Sequence, residues 1–326
     1  MYTNNTGVSL SMAVWLAHDE YDHNSDPNHI SATGLLRSTK QIALAKRVPQ
    51  DSAPEDVSSL VASRIGTAIH NSIESVWTHH REAALAKLGY PKRVAELVRI
   101  NPSKADLDAD EDIIPVYMEL RSSKKVGKYT VSGKFDFLAE GMLEDFKSTS
   151  TFTYTNKTSD DKYVMQGSIY RWLNQDIATE DVMAIQYLFK DWSAAMAKAN
   201  PKYPPARILT QKFTLKPVSE IESFVTNKLA AIELASRQEQ HEMVPCNAEE
   251  LWRKAPAYKY YKNPEKTTRS TKNFDTLAEA NIRLGDDNFV GLVKTVPGKV
   301  VACRYCPAFS ICKQKDDYIA TGELVL

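Results

Sequence analysis

The sequence predicts an α/β protein with a mixed central sheet rather than a doubly wound parallel one. Helical stretches come first, at residues 30–48 and 51–89, and a run of short strands begins near residue 113. A helix, a strand and another helix follow at 161–176, 181–192 and 218–240. Short consecutive strands favour antiparallel hairpins, whereas the helix between two later strands favours a parallel crossover.

The composition is that of an ordinary globular protein. The 326 residues are 43% hydrophobic and 25% charged, and 41 basic residues balance 41 acidic ones. A chain of this length can bury one large core or two smaller ones. Neutrality argues mildly against a protein that only coats nucleic acid, but it allows an enzyme in which acidic metal ligands offset a basic groove.

The cellular location is expected to be the cytoplasm. No apolar segment approaches the roughly 20 residues that span a bilayer. The opening residues, MYTNNTGVSLSMAVWLAHDEYDH, lack the basic start and apolar core of a signal peptide. Disulfides are rare under cytoplasmic conditions, so clustered cysteines need another explanation.

Three segments are expected along the chain. Residues 1–30 are polar and rich in His and Asp, which predicts an irregular or partly ordered N-terminal arm. Residues 31–240 hold the alternating helices and strands of the core domain, in which 51–89 reads as one long helix or two, ended by Gly89. Residues 241–326 carry all the cysteines and are expected to pack on the core.

Two acidic residues lie on neighbouring predicted strands. GKFDF places Asp136 on a strand, nine residues before Asp145 in GMLEDFKSTS, and LAEGM (138–142) can form the turn between them. Antiparallel pairing would bring the two carboxylates together. Adjacent carboxylates repel unless a hard cation lies between them, and Mg²⁺ or Mn²⁺ is the natural occupant.

A lysine shares the face of the second acid. Side chains alternate along a strand, so Asp145 and Lys147 point one way while Glu144 and Phe146 point the other. A lysine beside a metal can orient the attacking water and stabilise charge on a phosphate. The alternative is an ion pair on an exposed strand, worth about 0–1 kcal/mol, and the isolated motif does not separate the two.

Helical residues could join these acids. His70 follows Gly66 by one helical turn, and its imidazole could bind Mn²⁺ or simply lie in the core. Gln166 and Tyr170 lie four residues apart and share one helix face, where they could hold a base or phosphate. Alternatively Tyr170 is half-buried and Gln166 solvated.

Two further acids are less distinctive. Glu119 precedes the Asp136 strand and could be an extra active-site acid, and Asp191 could cap the helix that follows it. We expect neither to be catalytic.

Together the motifs form a pattern. GTAIH, GKFDF, EDFKST and QGSIY occur in this order and resemble the RecB-like branch of the PD-(D/E)XK nuclease superfamily. The resemblance covers about residues 30–190 and the C-terminal cysteine segment. It implies a restriction-endonuclease-like core and a Mg²⁺- or Mn²⁺-dependent DNA exonuclease. In the absence of a P-loop or helicase motif, a phage-type enzyme of recombination or DNA-end processing, acting in a bacterial host, fits best.

The resemblance also implies roles for single residues. His70, Asp136, Asp145 and the backbone carbonyl of Phe146 would bind the metal, and Lys147 would act with the two aspartates in catalysis. Gln166 and Tyr170 would hold the substrate strand. The expected partner is DNA, single-stranded or at its ends, and a homo-oligomer or a recombination partner protein stays open.

The cysteines extend the resemblance. CRYCPAFSIC places Cys303, Cys306 and Cys312 in a C-x2-C-x5-C pattern. This spacing is similar to that of the AddB nuclease and the CRISPR-associated adaptation exonucleases, where it supplies three ligands of a 4Fe–4S cluster. The fourth cysteine of those families lies upstream of the nuclease motifs, whereas here the candidate is Cys246. A structural Zn²⁺ site stays open, because four thiolates suit either metal.

A basic segment lies between the cysteines. WRKAPAYKYYKNPEKTTRSTKNF (252–274) interleaves seven Lys and Arg residues with three tyrosines and one opposing acid, Glu265. Such a pattern can neutralise phosphates and stack on unpaired bases, which makes Lys259 and Lys262 candidate substrate contacts. A solvated lysine-rich hairpin is the alternative. For the whole chain, a catalytically weak DNA-binding protein or a structural iron–sulfur or zinc protein also stays open.

Overall fold

The computed structural model describes residues 2–19, 24–49 and 55–326. Parts of the predicted N-terminal arm (20–23) and of the predicted second helical stretch (51–54) lie outside these ranges. The chain forms two compact units, one of residues 1–36 and 53–227 and the other of residues 37–52 and 228–326. Within the described ranges, every helix is too short or too polar to cross a membrane.

The helices are mostly short. In chain order they are α1 (Leu10–Ala17), α2 (Ala32–Leu35), α3 (Thr39–Ala45), α4 (Val61–His79), α5 (Arg81–Lys87), α6 (Lys92–Leu97), α7 (Lys104–Ala109), α8 (Thr151–Thr155), α9 (Asp160–Leu173), α10 (Ala194–Ala199), α11 (Val218–Arg237), α12 (Leu277–Asp286) and α13 (Lys313–Ala320). The predicted stretch 51–89 contains two α-helices, α4 and α5, and Gly89 follows the second in a left-handed conformation (φ 87°).

The strands form several separate sheets. In chain order they are β1 (Tyr2–Thr3), β2 (His29–Ser31), β3 (Glu55–Asp56), β4 (Val98–Ile100), β5 (Ile114–Met118), β6 (Arg121–Val126), β7 (Tyr129–Lys134), β8 (Phe137–Ala139), β9 (Met142–Thr149), β10 (Val182–Phe189), β11 (Ile208–Thr214), β12 (Ala257–Tyr261), β13 (Lys272–Phe274) and β14 (Leu292–Val296).

The largest sheet is mixed, which confirms the predicted fold class. Its strand order is β11-β10-β9-β8-β5-β4. β9 and β10 are parallel, as are β4 and β5, and the other pairs are antiparallel. β10 is an apolar central strand in which Met183, Ala184, Ile185 and Tyr187 are buried, as expected for a strand covered on both faces.

One long hairpin bends from this sheet into a second one. β5 pairs with β8 in the large sheet, and β6 pairs with β7 in the three-stranded sheet β2-β7-β6, in one continuous register. Glu119 and Asp136 are opposite each other at the bend, where the Glu119 amide donates to the Asp136 carbonyl over 3.2 Å. Asp136 therefore lies between two strands and not on one, as the sequence suggested, because the chain changes sheets there.

A tight turn between β8 and β9 sets the position of the next acid, Asp145. Glu140 and Gly141 both have positive φ (50° and 77°) and join β8 to β9, within the predicted turn region. Two consecutive left-handed residues match the twist of a two-residue hairpin. Phe137 pairs with Glu144, so the next position places Asp136 opposite Asp145. Glu119, Asp136 and Asp145 thus form a row, in which the first two lie at the bend of the long hairpin and the third lies on β9.

The N-terminal segment has regular structure in its described part. β1 pairs with β3, and the Asp56 carboxylate accepts hydrogen bonds from the backbone of Asn5 and Thr6. The Arg64 side chain, from α4, donates to the Leu16 carbonyl at the end of α1. The described part of the arm is therefore partly ordered, with short elements held by side chains from further along the chain.

The second unit has its own core and small sheet. Buried residues from α3, the end of α11 and the C-terminal segment pack together: Ala43, Leu44, Ala235, Met243 and Ala308. β12 is the centre of the three-stranded sheet β13-β12-β14, on which α12 packs. The cysteine-bearing C-terminal extension is thus folded, and it includes the early segment 37–52.

Candidate metal-binding active site

The row of acids is buried in the first unit. Asp136 is 9% exposed and Asp145 is 3% exposed. Burial, followed by the charge of Asp145, raises the pKa of Asp136 to about 7. The buried carboxyl groups of Asp136 and Asp145 are on opposite residues, so ionising both is unfavourable unless positive charge lies between them.

His70 projects from α4 onto these acids. Its Nδ1 atom lies 3.5 Å from Oε1 of Glu119 and 3.5 Å from Oδ1 of Asp136. One imidazole nitrogen and one oxygen from each acid lie within 4.8 Å of one another, a spacing that can hold a metal ion. Burial alone would lower the pKa of His70, but Glu119, Asp136 and the Phe146 carbonyl together raise it.

The backbone of Phe146 connects these side chains. Its amide donates to Oδ2 of Asp136 over 2.7 Å, and its carbonyl oxygen lies 3.1 Å from Nε2 of His70. The Phe146 side chain packs on the other side against a cluster that includes Val116 and Phe137. The carbonyl expected as a metal ligand therefore faces the expected histidine ligand.

Lys147 and Asp145 form an ion pair on one face of β9, as strand alternation predicted. Burial would lower the pKa of Lys147, but Asp145 and Asp136 raise it above its ordinary value. The ammonium also lies 5.7 Å from the ring centre of Tyr163. Because Asp145 is almost fully buried, the alternative of an exposed surface pair is wrong.

Both oxygens of Asp145 have partners. Oδ1 accepts from the Gln166 amide over 3.2 Å. Oδ2 is buried and contacts the Lys147 ammonium as an ion pair. Two donors from this chain therefore fix the orientation of the Asp145 carboxylate.

Gln166 and Tyr170 lie on α9 behind the acids. The Gln166 amide donates both to Asp145 and, over 2.9 Å, to the Tyr170 hydroxyl. Both residues are buried, so the alternative of a solvated Gln166 is wrong. α9 lies so close to β7 that a Cβ on Gly133 would meet the Tyr170 ring at 2.8 Å. Gln166 orients Asp145, and its predicted contact with substrate stays a prediction.

Glu119 is the site residue that the sequence analysis undervalued. Burial would raise its pKa, but hydrogen bonds from His70 and Lys134 lower it. Its φ of 48° places a non-glycine residue in the left-handed region, which is uncommon and often found at functional sites. The spacing in the sequence carried the signal, because Glu119 and Asp136 lie equally far from the two-residue turn formed by Gly127 and Lys128.

A cavity of about 370 Å³ opens beside these residues. His70, Glu119 and Asp136 line one part of it, and Arg121 and Lys134 line another. Acidic ligands and basic side chains therefore meet in a space that can admit part of a phosphodiester chain.

Two other acids have structural roles. Glu144 accepts a hydrogen bond from Gln186 over 2.7 Å, away from the row of acids. Asp191 accepts from the Thr151 amide over 2.7 Å and so caps α8, not the later helix suggested by the sequence. Neither contributes to the site, in agreement with expectation.

The four cysteines lie in the second unit, half-buried. Burial raises the pKa of Cys303 to about 11, and the charges of Cys312, Cys306 and Cys246 raise it further. The hydroxyl of Ser38, which caps α3, lies 3.2 Å from Sγ of Cys246. The charges that act on Cys303 come from the three other cysteines of the predicted set, Cys246 included, and their role as cluster ligands stays a prediction.

Two of the three tyrosines of the basic segment are not a stacking surface. Tyr260 is 0% exposed and Tyr261 5%, because alternate faces of β12 are covered. Lys259 lies on β12 opposite Lys294, and Lys262 follows the strand and is exposed. Base stacking by Tyr260 and Tyr261 is therefore wrong, while stacking by the half-buried Tyr258 and contacts of the two lysines with substrate stay predictions.

Comparisons with known proteins give low similarities. No protein-family model matches the chain, and no curated protein matches it. The structure of SSO0001 aligns with 75% of this chain and 98% of its own, with 15% identity and a TM-score of 0.37. A phage-related exonuclease from Haemophilus somnus 129PT aligns with 52% of this chain and 71% of its own, with 12% identity and a TM-score of 0.27. The alkaline exonuclease LHK-Exo from Laribacter hongkongensis aligns with 68% and 92%, with 11% identity and a TM-score of 0.29. The function proposed below therefore depends on the site's own geometry.

Proposed function

We propose that this chain is a divalent-metal-dependent DNA exonuclease that hydrolyses phosphodiester bonds. The observation that carries the proposal is the row of half-buried Glu119 and buried Asp136 and Asp145, with His70 against the first two and Lys147 on the same strand as Asp145. A fold rarely places three acids together with so little exposure without a function for their charge.

The donor atoms suit a hard divalent cation. Carboxylate oxygens, the Phe146 carbonyl and one imidazole nitrogen match Mn²⁺ and Mg²⁺ better than softer metals. Binding would offset the burial and the mutual repulsion that together raise the pKa of Asp136. His70, Asp136 and Asp145 are therefore proposed as ligands with the Phe146 carbonyl, and the position of Glu119 supports adding it to the set.

The remaining residues would position the reactants. A bound cation supplies Lewis acidity and an activated water for phosphodiester hydrolysis. Lys147, whose pKa is raised, stays protonated at neutral pH and would stabilise negative charge on the phosphate instead of acting as a base. Gln166 would hold Asp145 in place through its amide. Tyr170 and Arg121, which line the cavity, would contact the DNA strand.

The mode of cleavage and the biological role are proposed from the order of the sequence motifs. Exonucleolytic cleavage, with a role in phage-type recombination or DNA-end processing, follows from the resemblance to RecB-like nucleases. A catalytically weak DNA-binding protein is the rival, and the complete set of acids with Lys147 argues against it.

We also propose that the four cysteines hold a 4Fe–4S cluster. The charges of Cys312, Cys306 and Cys246 all act on Cys303, so the four thiols lie near one another. Four thiolates suit either metal, and the C-x2-C-x5-C spacing, which resembles that of the cluster-bearing nucleases, supports the 4Fe–4S cluster over zinc. In the related families the fourth cysteine precedes the nuclease motifs, and here Ser38 lies in that region beside Cys246. Absorbance near about 400 nm in anaerobically purified protein, with metal analysis, distinguishes iron from zinc.

Cleavage of end-labelled DNA in Mn²⁺ or Mg²⁺ tests the enzymatic proposal. The wild type should release nucleotides progressively from an end, and Asp145→Asn should be inactive. Glu144→Gln is the matched control, because it changes the neighbouring acid, which bonds to Gln186 on the other side. If the wild type cuts with no divalent metal, or Asp145→Asn cuts as well as Glu144→Gln does, the proposal fails.

A further inference from the structure

One end of the small sheet in the second unit carries two loops outside the proposed active site. Residues 262–271 connect β12 to β13, and residues 287–291 connect α12 to β14. Tyr260 pairs with Lys272 and Tyr261 pairs with Leu292, so both loops leave the sheet at the same end. We call these two loops the sheet tip.

The first loop is positively charged. Between residues 262 and 271 there are three basic residues and one acidic residue, a net charge of +2 (3 − 1), from Lys262, Lys266, Arg269 and Glu265. All three basic side chains are exposed. Within the described part of the chain, none of the three is in an ion pair. Their charge is therefore available to a ligand.

The second loop exposes an aromatic ring. Asn288 and Phe289 both have left-handed backbones, with φ of 53° and 61°. Asn is common in this conformation after a helix, but a bulky Phe is a genuine outlier. Phe289 donates its amide to the Leu284 carbonyl, and the tip of its ring lies 3.7 Å from where a Cβ on Gly285 would be, a position that glycine leaves without a side chain. Phe289 is consequently 75% exposed.

The loop is fixed to the sheet on both sides of Phe289. The hydroxyl of the buried Tyr260 donates to the Asp287 carboxylate, which also accepts from Arg283 over 3.1 and 3.0 Å. On the other side, a Cβ on Gly291 would lie 2.5 Å from the Tyr260 ring. The aromatic ring is thus presented on a rigid base, and Arg283 neutralises the acid beside it.

We propose that the sheet tip binds an unpaired DNA strand. Phe289 stacks on a base, and Lys262, Lys266 and Arg269 contact the phosphates. A cationic loop beside an exposed aromatic ring is the combination by which proteins hold single strands without reading their sequence. The inference rests on the proposed function, since a nuclease has DNA as its substrate.

Binding is measured without metal, so that no strand is cut. Fluorescence anisotropy of a labelled oligo(dT) in EDTA gives the affinity of the full-length protein. Phe289→Ala should weaken binding about 5- to 100-fold, as expected for one lost stacking contact, whereas Phe289→Trp should retain it. On an oligonucleotide with abasic sites in place of bases, Phe289→Ala and wild type should bind alike.

The phosphate contacts are tested by salt dependence. Replacing Lys262, Lys266 and Arg269 by Ala should reduce the slope of log affinity against log salt by about 2, since each phosphate contact on a single strand contributes about 0.7. A matched control removes three surface cations that already have acidic partners, Lys92, Arg93 and Lys104, and should leave the slope unchanged. Thermal melting confirms that each variant is folded.

The proposal is overturned if Phe289→Ala binds oligo(dT) like wild type, or if its defect persists on the abasic strand. It is also overturned if both triple variants change the slope equally. Loss of binding in Phe289→Ala by a protein that never cuts DNA would support the sheet tip and refute the nuclease proposal, so the two can fail separately.

Discussion

Replacing Asp136 by Asn should stabilise the metal-free protein at alkaline pH. Burial and the charge of Asp145 raise the pKa of Asp136 from 3.8 to about 7. An acid whose pKa is higher in the folded state holds its proton more tightly there, so stability falls as pH rises from the unfolded pKa to the folded one. At 1.36 kcal/mol per pKa unit, the loss at pH 8 is at most about 4 kcal/mol.

His70, whose pKa is also shifted, changes the stability with pH in the same direction. The pKa of His70 is raised, so its contribution is complete below its ordinary value of 6.5 and is lost as pH rises through the folded pKa. Urea denaturation in EDTA should therefore show wild type losing stability from pH 5 to pH 8. Asp136→Asn cannot ionise, so its advantage over wild type should grow from at most about 1.6 kcal/mol at pH 5 to at most about 4 kcal/mol at pH 8.

Added Mn²⁺ should make wild type more stable than Asp136→Asn at pH 8. A ligand that binds only the folded state stabilises it, and wild type retains the ionised carboxylates that hold the cation. Glu144→Gln is the control and should follow the wild-type pH profile in EDTA and in Mn²⁺. If Asp136→Asn is less stable than wild type at pH 8 in EDTA, or has the same pH dependence, the repulsion inferred for the two acids is wrong.

Three further outcomes test single contacts of the site. Glu119→Gln should weaken Mn²⁺ binding about 10-fold by calorimetry, and unchanged affinity would remove it from the ligand set. Gln166→Ala should lower kcat about 10- to 100-fold through loss of the hydrogen bond to Asp145, with Mn²⁺-dependent cleavage rates as the measurement and an unaltered kcat as the contrary result. Gly133→Ala should cost about 1–3 kcal/mol in urea denaturation, because its methyl group would meet the Tyr170 ring at 2.8 Å; wild-type stability would mean that α9 shifts freely.

Local patterns were sufficient to predict much of the site. The alternation of β9 placed Asp145 and Lys147 on one face, and the Gly141 turn placed Asp136 opposite Asp145. These predictions succeed because strand alternation and short hairpins depend on neighbouring residues only. The importance of Glu119 was missed because it depends on the register of a longer hairpin that crosses between two sheets.

Other side chains are buried or exposed because of tertiary packing, which local sequence patterns do not predict. The tyrosines of β12 resemble a stacking surface in sequence, yet Tyr260 and Tyr261 are covered by the fold of their own sheet. Phe289 has no basic neighbours in sequence, and only the pairing of β12 with β13 and β14 brings its loop to the basic one. Gln166 likewise resembles a surface amide in the sequence, but it is buried because α9 packs against β7.

The bend in the long hairpin explains why the acids lie where they do. A straight hairpin would alternate Glu119 and its neighbours between two faces of a single sheet, and Asp136 would lie within a regular ladder. The bend interrupts the ladder and holds Glu119 in a left-handed conformation, which costs about 1–3 kcal/mol for a non-glycine residue. As a result, the two acids at the bend, Glu119 and Asp136, contact His70, and Asp145 on β9 lies opposite Asp136. Strain and charge repulsion at this corner both destabilise the metal-free fold, so a cation bound there would contribute to stability as well as to catalysis.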